Sequence, residues 1–141
     1  MRQISPHLLW IGHAGDGRNL KANLDLGIEA IVDLAASEPP PTVTRELIHC
    51  RFPIVDGPEN SPAVLSLAIE TVFRLLRGNV PTLVFCCLGM SRSPVIAAAA
   101  LSKVLHRDPD ECLQMVTAGA PSNVVPGLWQ SVRAAIANPA D

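Results

Sequence analysis

Five residues lie between Cys86 and Arg92, and Ser93 follows directly. These residue types at this spacing could do chemistry on an oxyanion. The interior Cys87-Leu88-Gly89-Met90-Ser91 is long enough to curl so that successive backbone N–H groups point inward and form a nest for phosphate oxygens. Gly89 allows a backbone shape closed to other residues. Arg92 carries a planar fork that can grip two oxygens at once, which a lysine could not do in that way. At Ser93-Pro94 an Ala-rich run begins that predicts a helix, whose N-terminal end adds positive field. The same field would stabilise a thiolate on Cys86. A free thiol titrates near about 8.5, and a helix N-terminus with a nearby cation brings such groups to about 3.5–7.5. One loop would thus supply both a nucleophile and the clamp for its target.

The elements that must hold this loop can be read from pattern. Pro81–Phe85 is a short apolar strand leading into Cys86, and Pro94–Leu105 is the helix that leaves the loop. Upstream, Leu8–Gly12 predicts a strand. Asp16 is placed to cap a helix from about Arg18 to Leu26 that Gly27 ends. Ile28–Ala35 and Leu47–Val55 are further strands, the second interrupted near its end by Pro53, with Glu38-Pro39-Pro40-Pro41 as loop between them. Ser61-Pro62 opens a helix to about Arg77 that Gly78 closes. Asp108-Pro109-Asp110-Glu111 starts a helix to about Ala118, and the last helix runs from about Pro126 to Ala137. Strands alternating with helices predict an α/β fold with a central, mainly parallel sheet flanked by helices. Val84-Phe85 is expected in a central strand. Ligands bind beyond the carboxyl ends of such strands, where Cys86–Arg92 falls.

Length and composition narrow the possibilities. The chain has 141 residues, which predicts a single domain over 1–141, and 48% hydrophobic content supports a core. A net charge of −2 lacks the basic footprint of a nucleic-acid binder. No apolar run reaches the roughly 18 residues of a membrane span, and the start shows no signal-peptide core, so a cytoplasmic protein is expected. Cys50, Cys86, Cys87 and Cys112 fit neither a disulfide framework nor a zinc pattern and are read as reduced thiols.

Cys86-x5-Arg92-Ser93 with Gly89 in place resembles the signature of cysteine-dependent protein tyrosine phosphatases, and Gly89-Met90-Ser91-Arg92-Ser93-Pro94 is most similar to the dual-specificity subgroup. The resemblance covers most of the chain. Leu9–Gly12, Asp16–Leu20 and Leu26–Leu34 resemble that subgroup's opening. Pro53-Ile54-Val55-Asp56 resembles its general-acid segment, and Asp108-Pro109 and Pro126–Trp129 match its C-terminal helices loosely. The resemblance implies hydrolysis of phosphotyrosine, with phosphoserine or phosphothreonine as further substrates, through a phosphocysteine on Cys86. Arg92 and the amides of Cys87, Leu88, Gly89, Met90 and Ser91 would bind the phosphoryl oxygens. Asp56 would act as acid and then base, and Ser93 would stabilise the departing thiolate. It implies no metal or other cofactor, a phosphorylated protein or small phosphate ester as partner, and a monomer.

One departure stands out. The family usually has histidine before the cysteine, and here Phe85 occupies that place. Phe85 cannot order the loop by hydrogen bonding, so a thiol less readily ionised than is usual for the family is expected, with activity displaced to higher pH. It also keeps open a phosphate-reading pseudophosphatase, although such a binder would need neither Cys86 nor Asp56. A phosphatase of a non-protein ester is a further alternative, weakened for highly charged inositides because the loop has no cation before Arg92. Asp33 reads as a satisfied structural carboxylate, Gln130 as helix surface and Cys87 as loop backbone with an inert side chain, the alternative being a protective disulfide from Cys86 to Cys87 or Cys50 on oxidation. Arg18, Arg45 and Arg51 are candidate rim cations.

Overall fold

The computed structural model describes residues 1–44 and 46–137. Five strands form one sheet: β1 (Arg2–Gln3), β2 (Leu9–Gly12), β3 (Ala30–Asp33), β4 (Ile48–Arg51) and β5 (Thr82–Phe85), in the spatial order β1-β2-β5-β3-β4. β5 is central, and β2, β5, β3 and β4 run parallel, as the pattern predicts; β1 adds an antiparallel edge. β1 escapes the sequence reading because two residues carry no periodicity.

Alternation along β5 sends its side chains to two different faces. Val84 and Cys86 join the larger core with Ile96 to Leu101 of α4 (Arg92–Leu105) and Leu65 to Val72 of α3 (Pro62–Arg77). Leu83 and Phe85 join a smaller cluster with Trp10, Ala14, Ile28 and Ile31. The Ala97–Ala100 run is wholly buried and keeps α4 close to its neighbours in that larger core. α5 (Pro109–Thr117) and α6 (Pro126–Ala137) complete the α4 side, with Asp108 capping α5 through the Glu111 N–H at 3.3 Å.

The expected helix from Arg18 to Leu26 is corrected. The segment is broken into α1 (Ala14–Arg18) and α2 (Leu20–Asp25). Asp16 does not cap the second; it sits third in α1, where it and His13 close a reciprocal capping box, while Asn19 caps α2 through the Ala22 N–H. The two N-caps, His13 and Asn19, lie six residues apart and each starts its own turn. α4 begins at Arg92 rather than Pro94, so Arg92 itself is helical. β4 stops at Arg51, short of Pro53.

On the α3–α4 surface Glu70 pairs with Lys103 and, at 3.1 Å, with Arg74. Its hydrogen bond from Lys103, aided by Arg74, holds the carboxyl below its ordinary range. A depressed folded-state pKa stabilises the fold above the unfolded value and is lost as pH falls through the folded one. Glu70 is 39% exposed, so solvent screens the pair. Glu70→Gln is expected to cost only about 0.2–1 kcal/mol at pH 7 in denaturant melts. The difference from wild type should close as pH drops below about 4.

Candidate active site

Cys86 follows β5 at the floor of a cleft of about 100 Å³ lined by Asp56, Cys86, Cys87, Leu88, Met90, Ser91, Arg92 and Asn123. The residue is 3% exposed. Its Sγ accepts the Gly89 N–H at 3.2 Å and lies 3.2 Å from Ser93 Oγ, at the buried start of α4. The sulfur therefore sits beside an N–H donor and a hydroxyl at the start of α4. Gly89 has φ +73°, and a Cβ on it would stand 2.8 Å from the Gly12 carbonyl oxygen. Its lack of a side chain serves both the turn and the close approach to β2.

The loop is braced from three sides. The Cys86 N–H donates to Gly12 O (3.4 Å), the Ala14 N–H to Cys87 O (3.2 Å), and the Asn123 N–H to Met90 O (2.9 Å). Arg92 Nη1 donates to the carbonyls of Leu34 (3.0 Å) and Ile54 (3.2 Å), past the ends of β3 and β4. Among the described residues Nε and Nη2 have no protein acceptor, which leaves that edge of the fork for a two-oxygen grip on an anion. Asp56 stands exposed across the cleft, its Oδ1 accepting the Ser91 hydroxyl at 2.7 Å. Cys86, Arg92, Ser93 and Asp56, up to 37 residues apart in sequence, thus converge on one cleft.

No family model matches the chain. Over 116 residues, 81% of its length, it is 31% identical to human dual specificity protein phosphatase 9, and over 123 residues it is 28% identical to mouse dual specificity protein phosphatase 8. The crystal structure of human DUSP28 superposes with a TM-score of 0.84 at 22% identity, covering 97% of this chain and 96% of that one. The chain is similar in sequence to dual specificity phosphatases and shares the fold of human DUSP28. It spans 30% and 18% of the lengths of the two curated relatives.

Within this phosphatase-like site several residues fall differently from expectation. Arg51 is not a rim cation. It lies 3.5 Å from the buried Asp33 and donates from Nη2 to the carbonyls of Ala35 (3.2 Å), Ala36 (2.8 Å) and Glu38, so it shapes the turn after β3. Asp33 is structural as expected, accepting the Ala35 N–H at 2.8 Å. Arg18 pairs with Glu38 at 3.6 Å, and Arg45 lies outside the described residues. Cys87 is more than loop backbone: its Sγ meets Ser37 Oγ at 3.4 Å on the cleft wall. All four cysteines are free, and burial pushes the Cys50 and Cys112 thiols above their ordinary range. Gln130 is exposed and does not line the cleft.

Phe85 points away from the cleft, into the cluster against α1. The residue before Cys86 is thus a packing residue here. The sequence did not single out Asn60, Asn123 or the Ser91 hydroxyl. Asn60 makes three hydrogen bonds to Val55 and Gly57 on either side of Asp56, and its signal was only that of a turn residue ahead of Ser61-Pro62.

Proposed function

We propose that the chain hydrolyses phosphomonoesters, with phosphotyrosine in proteins as the principal substrate and phosphoserine or phosphothreonine as secondary ones. The observation that carries this reading is the Cys86 sulfur, held by the Gly89 N–H and Ser93 hydroxyl on the floor of a cleft that Asp56 and Arg92 also line. The relatedness to dual specificity phosphatases supports it.

In the first step Cys86 thiolate attacks phosphorus. The S–P bond forms as the P–O bond to the leaving group breaks, and Asp56 gives its proton to the departing oxygen. Arg92 and the amides of Cys87 to Ser91 take the charge on the equatorial oxygens, where a loose phosphoryl transition state carries it. In the second step water attacks phosphorus and the S–P bond breaks. Asp56, now carboxylate, removes the water proton, and the Ser93 hydroxyl at 3.2 Å steadies the released thiolate. The scheme draws on side chains and backbone alone.

The cleft favours a single phosphate on an aryl group. Arg92 is the one cation lining it among the described residues, while Leu88 and Met90 line it with apolar surface. Four free thiols fit a cytoplasmic setting, where they stay reduced. The test is turnover of p-nitrophenyl phosphate, phosphotyrosyl and phosphothreonyl peptides and an inositol polyphosphate, with and without a chelator. The expected order places aryl substrates first, unaffected by chelation. Binding of phosphopeptide without turnover of any substrate would overturn the proposal in favour of a phosphate-binding protein.

A further inference from the structure

We propose that Asn60 and Ser91 are positioning residues for the acid step, Asn60 fixing the backbone on both sides of Asp56 and Ser91 deciding which carboxyl oxygen carries the proton. The inference rests on the reading of Asp56 as the general acid and adds the residues that make it one.

Asp56 lies in an exposed turn, where a carboxylate would ordinarily sample several orientations. Asn60 removes that freedom from the backbone. Its Oδ1 accepts the Val55 N–H at 2.8 Å, and its Nδ2 donates to Val55 O at 2.8 Å and to Gly57 O at 2.9 Å. One amide thus uses its acceptor and both donors on the two neighbours of Asp56. Aspartate could keep the acceptor but not the donors, and alanine could keep neither.

Ser91 acts on the side chain. It is 6% exposed, and its oxygen accepts the Val125 N–H at 3.1 Å. A hydroxyl has a single proton, and here it is committed to Asp56 Oδ1 at 2.7 Å. With Oδ1 occupied as an acceptor, the proton of neutral Asp56 falls to Oδ2, the oxygen free to face a substrate. Ser91 heads α4 yet makes no side-chain bond to that helix's own amides. The hydroxyl that could have capped the helix serves the acid instead. Orienting a reacting group in this way removes entropy from the barrier before the reaction begins.

The dependence on leaving group reads this role directly. Formation of the phosphocysteine governs kcat/KM. Tyrosinate, whose conjugate acid has a pKa of about 10, leaves poorly without a proton; p-nitrophenolate is a weaker base and leaves more readily. Asn60→Ala and Ser91→Ala are each expected to lower kcat/KM on a phosphotyrosyl peptide by about 10-fold or more, and on p-nitrophenyl phosphate by less than about 3-fold, within the range that acid catalysis supplies. Ser91→Thr, which keeps the hydroxyl, should restore the peptide rate, and Asn60→Asp should show a smaller loss with the same bias. Alkylation of Cys86 by iodoacetate, followed in a Cys87→Ser background, should proceed at the same rate with and without Asn60→Ala. A slower alkylation in Asn60→Ala would mean that the nucleophile loop itself is disturbed, and would overturn the positioning role of Asn60. Equal losses on both substrates, or no loss on either, would overturn the assignment. Asp56→Asn separates the two levels of inference. A leaving-group bias in Asp56→Asn but not in the Asn60 and Ser91 variants rejects only the positioning roles; no bias in Asp56→Asn rejects Asp56 as acid.

Discussion

Cys86→Ser is expected to lower kcat/KM on p-nitrophenyl phosphate by about 10⁴-fold or more, the scale on which removal of a nucleophile acting together with its partners is felt. The substitution replaces sulfur by oxygen at a buried position, where the Gly89 N–H and the Ser93 hydroxyl can still make their bonds. The fold should therefore survive, and so should the anion site, because Arg92 and the loop amides are untouched. What disappears is the ionisable, polarisable atom. A serine hydroxyl stays protonated at neutral pH, and among the described residues no histidine lines the cleft to take its proton. The check pairs a rate assay with calorimetric binding of a phosphotyrosyl peptide. Loss of turnover with retained binding is the expected pair, and turnover within about tenfold of wild type would remove Cys86 from its role. Arg92 sits differently in the same scheme. Its Nη1 is spent on the Leu34 and Ile54 carbonyls, so in that scheme the free edge of the guanidinium would grip substrate while Nη1 ties the segment before Asp56 to the end of β3.

Much of this arrangement was legible in the chain. Cys86, Arg92 and the loop between them are contiguous, and contiguous residues leave their mark as a motif. The alternation of strands and helices set the sheet and put β5 at its centre. Asp56 could be named because Pro53-Ile54-Val55-Asp56 resembles the general-acid segment of dual-specificity phosphatases, while Gly57-Pro58 beside it reads equally as a plain turn. What stayed hidden depends on contacts between distant segments. Nothing local distinguishes Ser91 as a partner of Asp56, 35 residues away, from Ser91 as a helix cap. Arg51 reads as a free surface cation until the turn after β3 folds over it and offers its carbonyls. The break between α1 and α2 was lost for the opposite reason: several cap-type residues crowd into His13–Asn19, and propensity alone does not choose among them.

Phe85→Ala is expected to cost about 3–5 kcal/mol, a large share of the roughly 5–15 kcal/mol that holds a domain of this kind together. Phe85 is 2% exposed, and its ring occupies the slot between β5 and α1 so fully that a Cβ on Gly17 would come within 2.4 Å of it. A glycine inside a five-residue helix is otherwise a poor choice. The ring explains it, since α1 can approach the sheet only where it has no side chain. α1 also bears the Ala14 N–H that holds Cys87 O, so the ring supports the Cys86–Arg92 loop by packing. Gly17→Ala alone should then be destabilising, because either the ring or the helix must give way. In the Phe85→Ala background the same methyl enters the vacated space, and its cost should shrink or reverse. Thermal melts of the two single variants and the double variant form the cycle. A coupling of about 1 kcal/mol or more in the compensating direction is expected. Strict additivity would mean that the slot relaxes around either change, and that Phe85 is not what sets the distance between α1 and the loop.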